Sequence, residues 1–142
     1  QDLMYHAMHA SSSSTAKSAR AVLDRFHVNK KSVDVESMLH RTYGPLLWRG
    51  LSSANAKVRA RACAVLADTF PLRDPRAGED GTEAVVSRSV AALVKAMGDE
   101  VPLVRAAGSA ATARILGCFW AMIPTRDIRT LLNREYTVIS AC

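Results

Sequence analysis

His6 and His9 stand three residues apart, which would set two imidazoles on one helical face where a transition metal could be gripped. Two ligands do not hold zinc well, and no cysteine or carboxylate follows at ligand spacing, so no metal site is expected. Cys63, Cys118 and Cys142 are an odd set without a CxxC pair and read as free thiols in a reducing compartment. Glu79, Asp80 and Glu83 have the chemistry for acid and base work, but they sit in a glycine-flanked stretch where solvated charge and helix capping account for them. Gly108-Ser109 is the one serine directly after a glycine, and it lies in an alanine-rich helical run rather than in the strained elbow that activates a nucleophile. No GxxxxGK[ST] or GxGxxG phosphate loop occurs. The chain therefore reads as non-enzymatic, with no cofactor and no small-molecule substrate.

The elements that would carry these residues are helices. The 142 residues are 49% hydrophobic and 23% charged, an ordinary globular balance that argues against disorder, and seven Gly with five Pro is few for a sandwich or barrel. Apolar stretches are cut by Arg or Asp every few residues, so no membrane segment is expected. The absence of a start methionine and of a signal peptide suggests an excerpt of a longer chain. Asp2 to Ala10 is helix-compatible, and Ser11 to Ser14 reads as a solvated turn. Ala19, Val22, Leu23 and Phe26 then form an apolar face, and a further pattern runs from Asp34 to Leu51 with Pro45 as a kink or restart. Val58, Ala62, Val65, Leu66 and Thr69 mark a helix ended by Pro71. A loop to Gly81 is expected next, and then a helix from about Thr82 to Gly98 opened by an Asp80/Glu83 capping box.

An internal repeat links these helices. At an offset of 46, Leu47 falls on Leu93, Leu51 on Met97, Val58 on Val104, Arg59 on Arg105 and Ala64 on Ala110. A mid-forties period of helix, tight turn, helix predicts an all-α chain built as an α-solenoid, because a two-helix unit cannot bury both apolar faces alone. The expected division is an N-terminal helical segment over 1–33, a repeat over 34–73, a loop over 74–81, a second repeat over 82–123 and the first helix of another over 124–142. Small residues at Ala60, Ala62, Ala64, Ala106, Ala107, Gly108, Ala110 and Ala111 are expected to let the second helices approach closely, and Trp48 and Trp120 to pack in the core or between units. Net charge is +6, from 19 Lys plus Arg against 13 Asp plus Glu. Lys30 and Lys31, and Lys57 with Arg61 at i, i+4, are the candidates for tracking a phosphate backbone, although Leu103 and Ala107 at the next unit's equivalent positions break any continuous stripe.

The turn Asp99-Glu100-Val101-Pro102-Leu103-Val104-Arg105 resembles that of HEAT repeats, and the resemblance implies an α-solenoid of HEAT (armadillo-type) repeats in which Asp99, Arg105 and the matching Arg59 form a structural ladder, with Ser53 in the Asp position of the first unit. Phe26-His27, Tyr43-Gly44-Pro45-Leu46-Leu47-Trp48-Arg49, Val58-Arg59, Phe70-Pro71-Leu72-Arg73-Asp74-Pro75 and Phe119-Trp120-Ala121-Met122-Ile123-Pro124 resemble, in order and spacing, the G-type HEAT subunits of condensin II. That resemblance runs from about Ala16 to Leu132. It implies a non-catalytic nuclear subunit that binds the kleisin subunit, works with the SMC ATPases, and helps hold double-stranded DNA in mitotic chromosome condensation. The competing expectation is a HEAT scaffold of transport or phosphatase-adaptor type with no nucleic-acid role.

Overall fold

Helix-forming residues with few breakers give seven α-helices in the computed structural model, which describes residues 1–27 and 32–140, with side chains to residue 134. They are α1 (Asp2–His9), α2 (Ser13–His27), α3 (Val33–Leu51), α4 (Ala56–Thr69), α5 (Gly78–Met97), α6 (Pro102–Phe119) and α7 (Thr125–Ser140), and no strand occurs among the described residues. Lys30, Lys31 and Cys142 lie outside the described residues.

The 46-residue offset reappears in the helix ends. The first helix of each hairpin, α3 or α5, closes at Leu51 or Met97, and the second, α4 or α6, opens at Ala56 or Pro102. Leu47 and Leu93 are both fully buried, and so, nearly, are Val58 and Val104. Within each hairpin the crossing needs one residue without a side chain, and the two units place it on opposite helices. A methyl on Gly50 would meet Met8 Sδ at 2.7 Å and Ala62 Cβ at 3.3 Å; one on Gly108 would meet the Met97 backbone nitrogen at 3.0 Å and Ala96 Cβ at 3.1 Å. Ala62 corresponds to Gly108 and Gly50 to Ala96, so the Gly–Ala pair is exchanged between copies.

The largest interface is that of α4 with α6, and α1 also packs on α4. Small residues serve it only in part: Ala60, Ala62 and Ala111 are buried, but Ala106 and Ala110 are exposed and Gly108 faces its own hairpin partner α5. Leu66, Val65, Ile115 and Met97 fill the core, and deleting a side chain such as Leu66 costs about 2–5 kcal/mol.

Other expectations change with local physics. Helix α5 starts at Gly78, not near Thr82, because Gly78 adopts φ +70°, a left-handed turn that only glycine makes without strain. Asp80 and Glu83 therefore lie inside the helix and form no capping box; no side chain caps this end, and the carboxylates of Glu79 and Asp80 favour the N-terminal dipole. Helix α2 takes in Ser13 and Ser14, with the Ser12 hydroxyl accepting from the Thr15 amide at 3.4 Å. Pro45 stands inside α3, which runs through it without a restart. Ala16, Ala19 and Leu23 form the buried face of α2, whereas Val22 and Phe26 are exposed. Trp120 is not a packing residue: it is 54% exposed in a short 3-10 turn after α6. The Phe70–Leu72 segment is buried, Phe70 against Phe119 with ring centroids 5.1 Å apart, and Arg73 pairs with Glu36 at 2.9 Å.

Candidate functional site

The residues with catalytic chemistry do not assemble. His6 and His9 are exposed, His9 stacking on Tyr5 at 4.3 Å, and Glu83 pairs with Arg126 of α7 at 2.7 Å. Burial pushes the Cys63 thiol up to about 11, so it stays protonated, while Cys118 is exposed. No group of three or more metal-ligating side chains occurs among the described residues, and no helix among them is long and apolar enough to cross a membrane.

The turn residues do come together. Arg59 Nη1 donates to the carbonyls of Ser53 and Ala54 at 2.9 and 3.0 Å, and Arg105 Nη1 donates to those of Asp99 and Glu100 at 3.0 Å each. These are the same positions 46 residues apart. Each arginine thus ties down the turn before its own helix. Arg59 also reaches across to the next hairpin, pairing Nε and Nη2 with the Asp99 carboxylate at 2.7 and 2.8 Å. The Arg59 guanidinium holds Asp99 below the usual carboxylate range, and Asp99 in turn raises Arg59. Ser53 lacks a carboxylate, so the first turn offers no equivalent acceptor to α1 or α2.

A second cross-link escaped the sequence reading. Asp68, its side chain 4% exposed, receives Arg20 of α2 at 2.7 Å and also pairs with Arg114 of α6. Asp68 and Arg114 are 46 residues apart, so an opposite-charge exchange at equivalent positions of α4 and α6 was the available signal.

Of the four cations singled out for phosphate contact, Lys57 is exposed near the start of α4, where Asn55 caps the helix by accepting from the Lys57 amide at 2.9 Å. Arg61 differs from its expected role. Its guanidinium donates to the backbone carbonyls of Met8 and Ala10 at the end of α1, and lies 3.4 Å from Ser13 Oγ. Unsatisfied carbonyls and the negative end of a helix dipole attract it there, which fixes α1 to α4. Lys30 and Lys31 lie outside the described residues.

Between the two hairpins runs a trench. While α4 and α6 pack closely, α3 and α5 barely touch, leaving a cavity of about 260 Å³ lined by Trp48 and Leu51 of α3 and the following Ser52, by Arg59 and Cys63 of α4, and by the Arg88, Ala91, Ala92, Lys95 face of α5. Arg88 lies over the Trp48 ring, 4.1 Å from its centroid. Neither Arg88 nor Lys95 was singled out from sequence; their i, i+7 spacing around Ala91 and Ala92 was the signal.

Comparison with known proteins bears on these features. Residues 1–74 match the family model described as condensin II non structural maintenance of chromosomes subunit. The chain is 33% identical over 135 residues to condensin-2 complex subunit G2 of Xenopus laevis, and 35% identical over 136 residues to the proteins of that name from Homo sapiens and Danio rerio. Each match covers 94% of this chain and 12% of the relative. No solved structure matches it.

Proposed function

Because the chain belongs to the family of condensin II non-SMC subunits, we propose that it is a stretch of HEAT-type solenoid whose shape, not its chemistry, does the work. In this reading the hairpins α3–α4 and α5–α6 are successive repeats, α1–α2 precedes them, and α7 opens the next. Arg59, Asp99 and Arg105 form the structural ladder. The subunit is regulatory and non-catalytic, resides on chromosomes in the nucleus, captures the kleisin, joins the SMC ATPases and helps hold duplex DNA.

The observation that carries this reading is the pair of hairpins with matching helix ends at a 46-residue offset, cross-linked by Arg59–Asp99 and Asp68–Arg114. Of the candidates within the described residues, duplex contact falls to Lys57, since Arg61 is occupied by α1; Lys30 and Lys31 remain candidates beside it. That engagement favours the second reading, a scaffold that binds only proteins. Fluorescence anisotropy with a random-sequence duplex separates them: affinity should fall as salt rises from about 50 to 200 mM, and Lys57→Ala should flatten the log–log slope by about one. Absence of duplex binding at low salt would remove the DNA role. Purification of the full subunit from mitotic extract without a kleisin or SMC ATPases would remove the condensin role.

A further inference from the structure

The trench between α3 and α5 contributes little to stacking, yet its walls are chemically specific. The contrast with the next junction is direct: α5 packs closely against α7, with Ser87 Oγ donating to Asp127 at 3.0 Å and Arg126 pairing with Glu83 at 2.7 Å. Residues 70–77 join α4 to α5 and only residues 120–124 join α6 to α7, so the longer connection lets α5 stand away from α3. Three cations, Arg59, Arg88 and Lys95, line the opening against one carboxylate, Asp99. Asp99 is held by Arg59 and by the Val101 amide at 3.0 Å. Among the described residues that leaves Arg88 and Lys95 without an ion pair, Glu100 lying beyond Lys95 in the adjoining hollow rather than in the trench.

We propose that this trench docks an extended acidic segment of a partner protein, two carboxylates of which engage Arg88 and Lys95 while an apolar side chain between them enters the space beside Ala91 and Ala92. Stacking on Trp48 uses the face of the Arg88 guanidinium and orders it, which leaves its in-plane N–H donors to a carboxylate at reduced entropic cost. Seven residues of helix set Arg88 and Lys95 about 10 Å apart along α5. An extended chain spans that distance in about three residues, at roughly 3.3 Å each. The cavity admits a side chain but not a duplex, which can meet only its rim. The assignment does not rest on the kleisin or duplex reading.

The test uses the full-length subunit and a fluorescein-labelled peptide, Gly-Ser-Glu-Leu-Ser-Glu-Ser-Gly, with its Glu→Gln counterpart and an unlabelled duplex as controls. The acidic peptide should bind and its Gln counterpart should not. Arg88→Gln with Lys95→Gln, both exposed sites, should weaken binding about tenfold or more. Ala91→Leu, which fills the trench while keeping both cations, should weaken it comparably and leave duplex affinity unchanged. No binding of the peptide would overturn the proposal, as would binding indifferent to either change. Loss of duplex affinity in the double variant, with the peptide unbound by the parent protein, would overturn it in favour of a nucleic-acid rim.

Discussion

The junction of α5 with α7 and that of α3 with α5 both flank α5, yet the first is closed by side-chain bonds and the second stands open. What joins the two hairpins is therefore α4 on α6, and not α3 on α5. Tight α4–α6 packing together with splayed α3 and α5 lets each hairpin be cross-linked at both ends of α4, by Arg59–Asp99 and Asp68–Arg114, while the opposite side remains accessible. The same economy shows inside the hairpins, where the Gly50/Ala62 crossing of one becomes the Ala96/Gly108 crossing of the other.

The sharpest break in the comparison concerns Leu66, fully buried in α4, and its equivalent Thr112 in α6, whose hydroxyl lies 3.7 Å from Met97 Sδ. Leu66→Ala should lower unfolding free energy by about 3 kcal/mol, whereas Thr112→Val should change it by about 1 kcal/mol or less. Urea titration of both variants measures the gap. Equal effects would mean that the two positions are not differently packed. Next, Gly108→Ala should cost about 1–3 kcal/mol, because the new methyl meets backbone, and Ala96→Gly in the same chain should recover part of it. Gly50→Ala should cost less, since what its methyl meets most closely is the flexible end of Met8.

Asp68→Asn should cost about 1–2 kcal/mol, because it weakens a nearly buried acceptor serving Arg20 and Arg114 together, with the half-exposed Arg114 contributing least. A loss no greater than that of an exposed-residue control would show that the charge exchange between α4 and α6 is incidental. The smallest effect is expected in the pH dependence of Asp99. Its folded-state pKa is depressed, so its contribution to stability is complete above the ordinary aspartate value of about 4 and is lost as pH falls through the lower folded value. Asp99→Asn should flatten stability against pH in that acid window and leave it unchanged in slope near neutrality.

Much of the fold was legible because the apolar periodicity and the 46-residue offset both survive in sequence: Leu47/Leu93 and Val58/Val104 are buried at matching places. Boundaries were less so. A positive-φ glycine at Gly78 opened α5 ahead of the residues that look like a cap, and Pro45, exposed on α3, lost a hydrogen bond without ending the helix. Among the site residues, Arg59, Asp99 and Arg105 were visible as a turn pattern, although only stacking sets the pairing of Arg59 with Asp99, while Arg105 bonds the carbonyls of its own turn. The bonds of Arg61 to α1 were not legible because its acceptors are backbone carbonyls more than fifty residues away, which no side-chain pattern marks. Arg88 and Lys95 were passed over because two cations without an ion pair become conspicuous only once α3 and α5 are seen to part.

The central claim is that the two hairpins are stacked copies joined through the turn, and a double-mutant cycle across that joint tests it most directly. Arg59→Ala, Asp99→Ala and the double variant are compared by melting midpoint in the full chain. Stacking predicts that the double variant loses clearly less than the sum of the two single losses, since either change breaks the same inter-hairpin contact, while the separate turn bonds of Arg59 to Ser53 and Ala54 and of Asp99 to the Val101 amide add independently. Midpoint losses that simply add would mean that the two residues do not meet, and that the hairpins are not joined through the turn.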